Sequence, residues 1–366
     1  MELPSLRGDE RTGYALRALY RQYGYARFKM SKFEEYDLYV RNKDFLASDR
    51  MITFTDHKGT LLALKPDVTI SIIKNTQEGD NGVRKVYYQE NVYRTAKGDD
   101  TLRELLQTGL ECIGALDCYH IYEVIALAVR SLETISPDYV LDLSHMGLLT
   151  GLMAAAGVAE PDYNQVLSAV REKNPDALRQ YCRQAGLTEP ERALLETLVN
   201  TYGDMEAVLE KLAPLCTDEK TGKAWQELDA IRKLLAGCGL AQRVRIDFSV
   251  VNDMNYYNGI VFQGFVKGLA AGVLSGGQYD NLVRRMGKDF GAIGFAIYLD
   301  QLERLDPPSA GYDADVILWY DSKTDLEALT RRSAELAGKG SVVLARRDVE
   351  GLRYERLEDL RGGDGQ

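Results

Sequence analysis

The run Thr101-Leu102-Arg103-Glu104-Leu105-Leu106-Gln107-Thr108-Gly109-Leu110-Glu111-Cys112-Ile113-Gly114 alternates in chemistry along its length. Successive side chains of an extended chain point to opposite faces. Leu106, Thr108, Leu110 and Cys112 therefore share one face, and Gln107, Gly109 and Glu111 share the other. The polar face has two readings. It is the solvated side of a half-exposed strand, or a pair of polar groups that need partners or a ligand. Upstream, Arg84 to Arg94 is rich in β-formers and reads as a second strand. Thr95-Ala96-Lys97-Gly98-Asp99-Asp100 between them is a polar loop of the length that joins antiparallel neighbours.

Towards the N-terminus, residues 9 to 23 read as a helix. Asp9 can cap it, Ala15, Leu16, Leu19, Tyr20 and Tyr23 recur at helical spacing, and Gly24 can end it. Tyr25 to Thr55 mixes extended and helical pieces. Thr60 to Leu64 is a short strand, Pro66 breaks the pattern, and Val68 to Asn75 begins a helix.

Towards the C-terminus, Asp117 to Ile135 is a helix with Ile121, Val124, Ile125, Ala128, Val129 and Leu132 on one buried face. Residues from 146 to about 240 read as a helical insertion punctuated by Gly157, Pro161, Pro175, Gly186 and Pro214. Arg243 to Val250 alternates as a strand, with Val244, Ile246, Phe248 and Val250 inward and Arg245, Asp247 and Ser249 outward. Tyr257 to Val266, Gly272 to Ser275 and Gly291 to Ala296 are further strands, the last leading into a helix at Tyr298 to Leu305. Asp306-Pro307-Pro308-Ser309-Ala310-Gly311 has the composition of a linker. Beyond it, Ala314 to Tyr320, Lys323 to Leu336 and Gly340 to Ala345 make a small β-α-β unit, followed by a glycine-rich end that should fray. The expected division is a core domain at 1–307 and a C-terminal α/β unit at 312–366.

The bulk properties exclude several classes. Of 366 residues 45% are apolar, ample for a packed core. No apolar run reaches the ~18 residues that span a bilayer, and the first residues hold no apolar signal core, so a cytoplasmic location is the expectation. Five cysteines, an odd number without a Cys-x-x-Cys pair, argue against a disulfide framework or a zinc site, and three scattered histidines offer no metal-ligand spacing. No metal and no cofactor is expected. Forty-five Lys and Arg against 55 Asp and Glu give a net charge of −10. Phosphate contacts supply most non-specific nucleic-acid affinity, so this balance argues against tRNA as a partner.

Six blocks in order resemble the core of a class II aminoacyl-tRNA synthetase of the histidyl type, over roughly residues 5 to 305. Leu64-Lys65-Pro66-Asp67-Val68-Thr69 is similar to the family's Arg-Pro-Glu-Gly-Thr loop. Val92-Tyr93-Arg94 and Arg103 to Glu111 resemble class motif 2 and the strand after its loop. Asn252-Asp253-Met254-Asn255-Tyr256-Tyr257-Asn258-Gly259-Ile260-Val261-Phe262 resembles the histidine-binding signature. Ser275-Gly276-Gly277-Gln278-Tyr279-Asp280-Asn281-Leu282 and Ala292-Ile293-Gly294-Phe295-Ala296 complete the set. The resemblance implies an α+β fold: a class II aminoacyl-tRNA synthetase-like antiparallel sheet flanked by helices, with the helical insertion and the small C-terminal β-α-β unit. It also implies a histidine pocket. Asp67 and Thr69, with Gln107, would meet the α-ammonium, while Glu111 and Tyr257 would hold the imidazole. Tyr256 belongs to the same signature, and Tyr279 would line the wall. A carboxylate suits a cation, and each imidazole nitrogen needs a partner.

The departures lie on the ATP side. Adenylation brings two anionic reactants together and needs cations around the phosphates. Asn252 stands where the histidyl-specific arginine is expected. The Gly-Leu-Glu-Arg end of motif 3 reads Tyr298-Leu299-Asp300-Gln301, which replaces an arginine by Gln301 and a glycine by the bulk of Tyr298. Ala96 replaces the glutamate two residues after the motif 2 arginine. Arg94 and Arg103 are the ATP-facing or anion-binding cations that remain. Removing one such charge typically costs ~10²–10³ in rate. The C-terminal unit amounts to about half of an anticodon-binding domain. This pattern, with Asn255 to Phe262 and Leu141-Asp142-Leu143-Ser144-His145-Met146-Gly147-Leu148-Leu149, is more similar to the regulatory subunits of ATP phosphoribosyltransferase. That resemblance implies a non-catalytic chain whose partner is a short-form catalytic subunit, with histidine as the feedback effector of the first step of histidine biosynthesis. It also implies a homodimer, paired near residues 25 to 60, within a hetero-oligomer. The alternatives are an atypical histidyl-tRNA synthetase and a sensor of uncharged tRNA.

Overall fold

The structure, a computed structural model, describes residues 8–46, 50–76, 82–95, 101–250, 256–305 and 312–362. Ala96 and the rest of its loop, Asn252, the linker 306–311 and the last four residues lie outside them. The chain forms two compact units, one of Asp9–Glu303 and a smaller one after it.

The larger unit begins with α1 (Gly8–Gln22), β1 (Ala26–Arg27), β2 (Phe33–Glu35), α2 (Tyr36–Arg41), β3 (Thr53–Thr55), β4 (Leu61–Leu64) and α3 (Thr69–Lys74). The long strands β5 (Arg84–Thr95) and β6 (Leu102–Gly114) follow, then α4 (Cys118–Ile135) and β7 (Tyr139–His145). Next come α5 (Met146–Ala155), α6 (Tyr163–Arg171), α7 (Pro175–Gln184), α8 (Glu189–Asn200), β8 (Tyr202–Asp204), α9 (Met205–Leu212) and α10 (Glu219–Gly237). The unit closes with β9 (Val244–Asp247), β10 (Ile260–Val266), β11 (Leu274–Gln278), α11 (Asp280–Arg285) and β12 (Gly291–Tyr298).

Nine of these strands form one sheet in the order β1-β5-β6-β12-β11-β10-β7-β9-β8, and β2, β4 and β3 form a small second sheet. The helix expected at Asp117 to Ile135 is α4, and the reason is visible at its start. Asp117 accepts from the backbone N–H of His120 at 3.0 Å, capping the helix. The predicted face of Val124, Ile125, Ala128, Val129 and Leu132 is fully buried, and α4 packs on β7, β10 and β12. This helix covers one face of the sheet and leaves the other for a site.

Several expectations need correction. The sheet is mixed: β1 runs parallel to β5, and β9 parallel to β7. The second parallel pair exists because β7 and β9 bracket the helical insertion, and parallel neighbours require a long crossover. That insertion contains a strand, β8, which pairs with β9. Asp247 does not point outward to water. It is buried, and its carboxylate accepts from Lys173 Nζ at 2.7 Å and from the Ser249 N–H at 2.8 Å. The strand expected from Tyr257 starts at Ile260, where pairing with β7 begins; just before it the Asn258 side chain is engaged with Asp280. The strand expected at Gly272 to Ser275 runs Leu274–Gln278. The helix expected from Tyr298 is a 3₁₀ turn at Leu299–Arg304, preceded by a longer β12.

The smaller unit contains β13 (Ala314–Trp319), α12 (Leu326–Gly338), β14 (Val343–Arg346) and β15 (Tyr354–Asp359). Its strands are parallel in the order β14-β13-β15, around a core of Val316, Leu318, Leu329 and Leu336. The third strand goes beyond the expected β-α-β. Tyr354-Glu355-Arg356-Leu357-Glu358-Asp359 is too charged to read as a strand. It is held by backbone pairing to β13 and by a forked Arg332–Glu358 contact, both bonds 2.8 Å. Among the described residues, no helix is long and apolar enough to cross a membrane, and no cluster of His, Cys, Asp and Glu could hold a metal ion.

Candidate functional site

Strand register lays out the floor of a cavity of about 440 Å³ on the uncovered face of the large sheet. Glu111 on β6 lies opposite Gly294 on β12, which lies opposite Gly277 on β11. One step along, Gly109 lies between Tyr88 on β5 and Ala296 on β12, and Ala296 is opposite Ser275. A further step places Gln107 opposite Tyr298. Period-two alternation then aims Glu111, Gln107, Tyr88, Ser275 and Tyr298 at one volume, and all five line it.

Two glycines make this floor possible. A Cβ on Gly294 would sit 1.7 Å from Glu111 Oε2, and one on Gly277 would sit 2.6 Å from the Tyr257 ring. The carboxylate of Glu111 and the ring of Tyr257 therefore lie flat against neighbouring strands, where any larger residue would displace them.

The walls come from outside the sheet. The loop before α3 brings Asp67, and the first residue of α3 is Thr69. The Thr69 hydroxyl donates to Glu111 Oε1 at 2.9 Å, and the Tyr279 hydroxyl donates to Glu111 Oε2. Asp67 accepts from the Ile70 N–H at 3.1 Å and lies 3.9 Å from Arg94 Nη2. Arg94 is oriented by its own Nε, which donates to the Pro66 carbonyl at 2.8 Å. Tyr256 stacks at a tilt on Tyr257 (ring centroids 4.5 Å apart), on Tyr279 (5.9 Å) and on Phe45 (6.0 Å).

The electrostatics follow from burial. Glu111 is 2% exposed. Loss of water pushes its carboxyl up to about 8, against the two hydroxyl donors that favour the charged form. Burial also raises Asp67, opposed by the nearby Arg94 guanidinium. Burial raises the hydroxyls of Tyr256, Tyr257 and Tyr279, so they are neutral donors. Gln107 Nε2 is buried and has no hydrogen-bond partner among the described residues. A buried amide donor left unmade costs about 1–3 kcal/mol, which a ligand acceptor would recover.

Asp67, Thr69, Gln107, Glu111, Tyr256, Tyr257 and Tyr279, expected to share a pocket, all line this cavity, and so does Arg94. Arg103 does not. It is exposed and lies opposite Arg94 in the β5–β6 ladder. Tyr298 lines the cavity, while Gln301 sits beyond it in the 3₁₀ turn. Sequence reasoning missed Tyr88, Asp44, Phe45 and Ser275. Tyr88 was accessible in principle: once β5 and β6 are registered through their loop, it falls opposite Gly109. Asp44 and Phe45 belong to a 3₁₀ turn, Lys43–Phe45, which carries no periodic signal.

The histidyl-tRNA synthetase family model matches residues 4–302. An ATP phosphoribosyltransferase regulatory subunit from Caldanaerobacter subterraneus is 33% identical over 294 residues, which cover 78% of this chain and 75% of that one. The chain belongs to the family of ATP phosphoribosyltransferase regulatory subunits. The family has the histidyl-tRNA synthetase fold, and solved structures agree. The structure described as an ATP phosphoribosyltransferase regulatory subunit/histidyl-tRNA synthetase from Bacillus halodurans superposes with a TM-score of 0.79 at 23% identity, covering 97% of this chain and 94% of its own. A chain of the ATP phosphoribosyl transferase complex from Thermotoga maritima superposes with a TM-score of 0.62 at 18% identity, covering 80% of this chain and 97% of its own.

Proposed function

We propose that this chain is the non-catalytic, histidine-sensing regulatory subunit of an ATP phosphoribosyltransferase. It pairs with a short-form catalytic subunit in a hetero-oligomer, supports its activity, and transmits feedback inhibition by histidine. The observation that carries the reading is the balance of charge in the cavity. Asp67 and Glu111 are carboxyls, and Arg94 is the single cation that lines it among the described residues. A zwitterionic amino acid with a basic ring needs that balance. A nucleoside triphosphate needs several cations, so the chain's own synthetase activity is expected to be lost.

In this reading Glu111 and Tyr257 bracket the imidazole, and Asp67, Thr69 and the Gln107 amide oxygen receive the ammonium, which leaves Gln107 Nε2 to donate to the ligand carboxylate. Arg94 is free of the triphosphate role and takes the carboxylate, its fork already aimed by the Pro66 carbonyl. Histidine then binds one state of the complex better than the other and shifts it towards low activity, since feedback requires that differential affinity. The homodimer implied by the family resemblance belongs to the same proposal.

The test is to reconstitute the complex with a short-form catalytic subunit and to titrate phosphoribosyl transfer with histidine and with histamine, which lacks the carboxylate. Stimulation by this chain and inhibition by histidine are expected. Histamine should inhibit about 10- to 100-fold more weakly, the range of a charged hydrogen bond. Arg94→Gln should remove that discrimination by weakening histidine alone. No complex and no stimulation would sink the proposal.

A further inference from the structure

The turn that covers the tyrosine side of the cavity is anchored by Phe45 in the apolar core but, among the described residues, has few polar contacts to fix it. Asp44, Phe45 and Leu46 line the cavity, yet the turn Lys43–Phe45 lies outside the large sheet, and its backbone bonds are local: Phe45 N–H to the Asn42 carbonyl and Leu46 N–H to that of Lys43, both 3.0 Å. Phe45 is buried in the apolar core beneath the turn, and among the described residues one charged side chain reaches the turn from elsewhere. Arg285 Nη1 lies 2.8 Å from Asp44 Oδ2, and the Arg285 guanidinium sits 5.3 Å from the centroid of the Phe45 ring. Phe45 in turn leans on Tyr256.

Arg285 is the last residue of α11, and the start of that helix is fixed to the cavity floor. Tyr279, immediately before α11, donates to Glu111. Asp280 accepts from the Ala292 N–H at 2.8 Å and from Asn258 Nδ2 at 3.0 Å. The six-residue α11 is thus a strut. Its first end belongs to the floor, and its last residue grips the turn above the tyrosines.

We infer that Arg285 is a positioning residue that holds Asp44 and Phe45 over the cavity and thereby sets how long a bound amino acid stays. The inference rests on the proposed use of the cavity for histidine. The ion pair is exposed, 45% and 43% at the two side chains, so its own strength is modest, and the ring contact adds to it. Together they correspond to about a three- to tenfold change in lifetime. The effect falls on escape more than entry, because the pair holds the turn against the tyrosines that would flank a seated ligand.

Stopped-flow measurement of L-histidine association and dissociation on the full chain tests this. Arg285→Ala should speed dissociation about three- to tenfold and leave association within about twofold. Arg285→Lys, which keeps the charge and loses the planar fork, should recover part of the effect. Asp44→Asn should also speed dissociation, and the double variant should be no faster than the faster single one, because both remove the same contact. Dissociation within twofold of wild type in both single variants would overturn the inference, and so would additive effects in the double variant. Histidine binding to wild type with unchanged variants removes only Arg285's role. Absence of histidine binding in wild type removes the histidine reading of the cavity and this role with it.

Discussion

Glu111 sits under two hydroxyl donors and away from water, and that gives its response to pH a definite direction. Burial lifts its carboxyl from an ordinary 4.5 to about 8. Between those values the folded chain holds a proton that the unfolded chain releases, so the stability contributed by this group is full below 4.5 and is lost as pH rises through 8. Glu111→Gln carries no titrating proton. Its melting temperature should fall by a few degrees less than that of wild type between pH 5.5 and 8.5, measured by calorimetry. An equal fall in both proteins would mean that Glu111 ionises in the ordinary carboxyl range. At this scale much of the site was legible. The parity of Gln107, Gly109 and Glu111 in Thr101–Gly114 is a property of any strand, and it put both polar groups on one face. Tyr88 was not legible without the register, and Asp44 and Phe45 were not legible at all, since a single turn leaves no pattern.

Among the elements, the arch that carries Tyr256 and Tyr257 is tied to α11 by a reciprocal clasp. Asn258 Oδ1 accepts from the Asp280 N–H at 2.8 Å, and Asn258 Nδ2 donates back to the Asp280 carboxylate. Asp280 also receives the Ala292 N–H of β12. Asp280→Ala would leave the backbone N–H of Ala292 and the Asn258 amide without their acceptor. A loss of about 1–3 kcal/mol is expected, read from the urea midpoint, together with weaker histidine binding. An unchanged midpoint would show that water replaces the carboxylate fully. Tyr257 misread as the start of a strand because its aromatic and β-branched neighbours have strand propensity, while the regular ladder begins at Ile260. Strands with apolar periodicity, such as β5, β6 and β10, were readable. β15 was not, because its pairing is made by backbone groups and its side chains are mostly charged.

At the level of the whole molecule, a net charge of −10 and a cavity lined by one cation among the described residues both oppose a triphosphate. Histidine-dependent ATP–pyrophosphate exchange by the purified chain should not rise above background. Robust exchange would instead favour an atypical synthetase. The acidic balance and the helical insertion could be anticipated from composition and periodicity, and the mostly antiparallel sheet from the family resemblance. The parallel strand pairs could not, because they depend on where the chain returns after crossing the insertion. That return has a consequence for assembly. The nine-stranded sheet finishes in β1, two residues long, and in β8, three residues long. Unpaired strand edges are templates for another chain's backbone, and edges this short offer almost no such template. Neighbouring subunits therefore have to meet the large sheet's unit through side-chain surfaces, and a partner that docks by extending this sheet finds nothing long enough to extend.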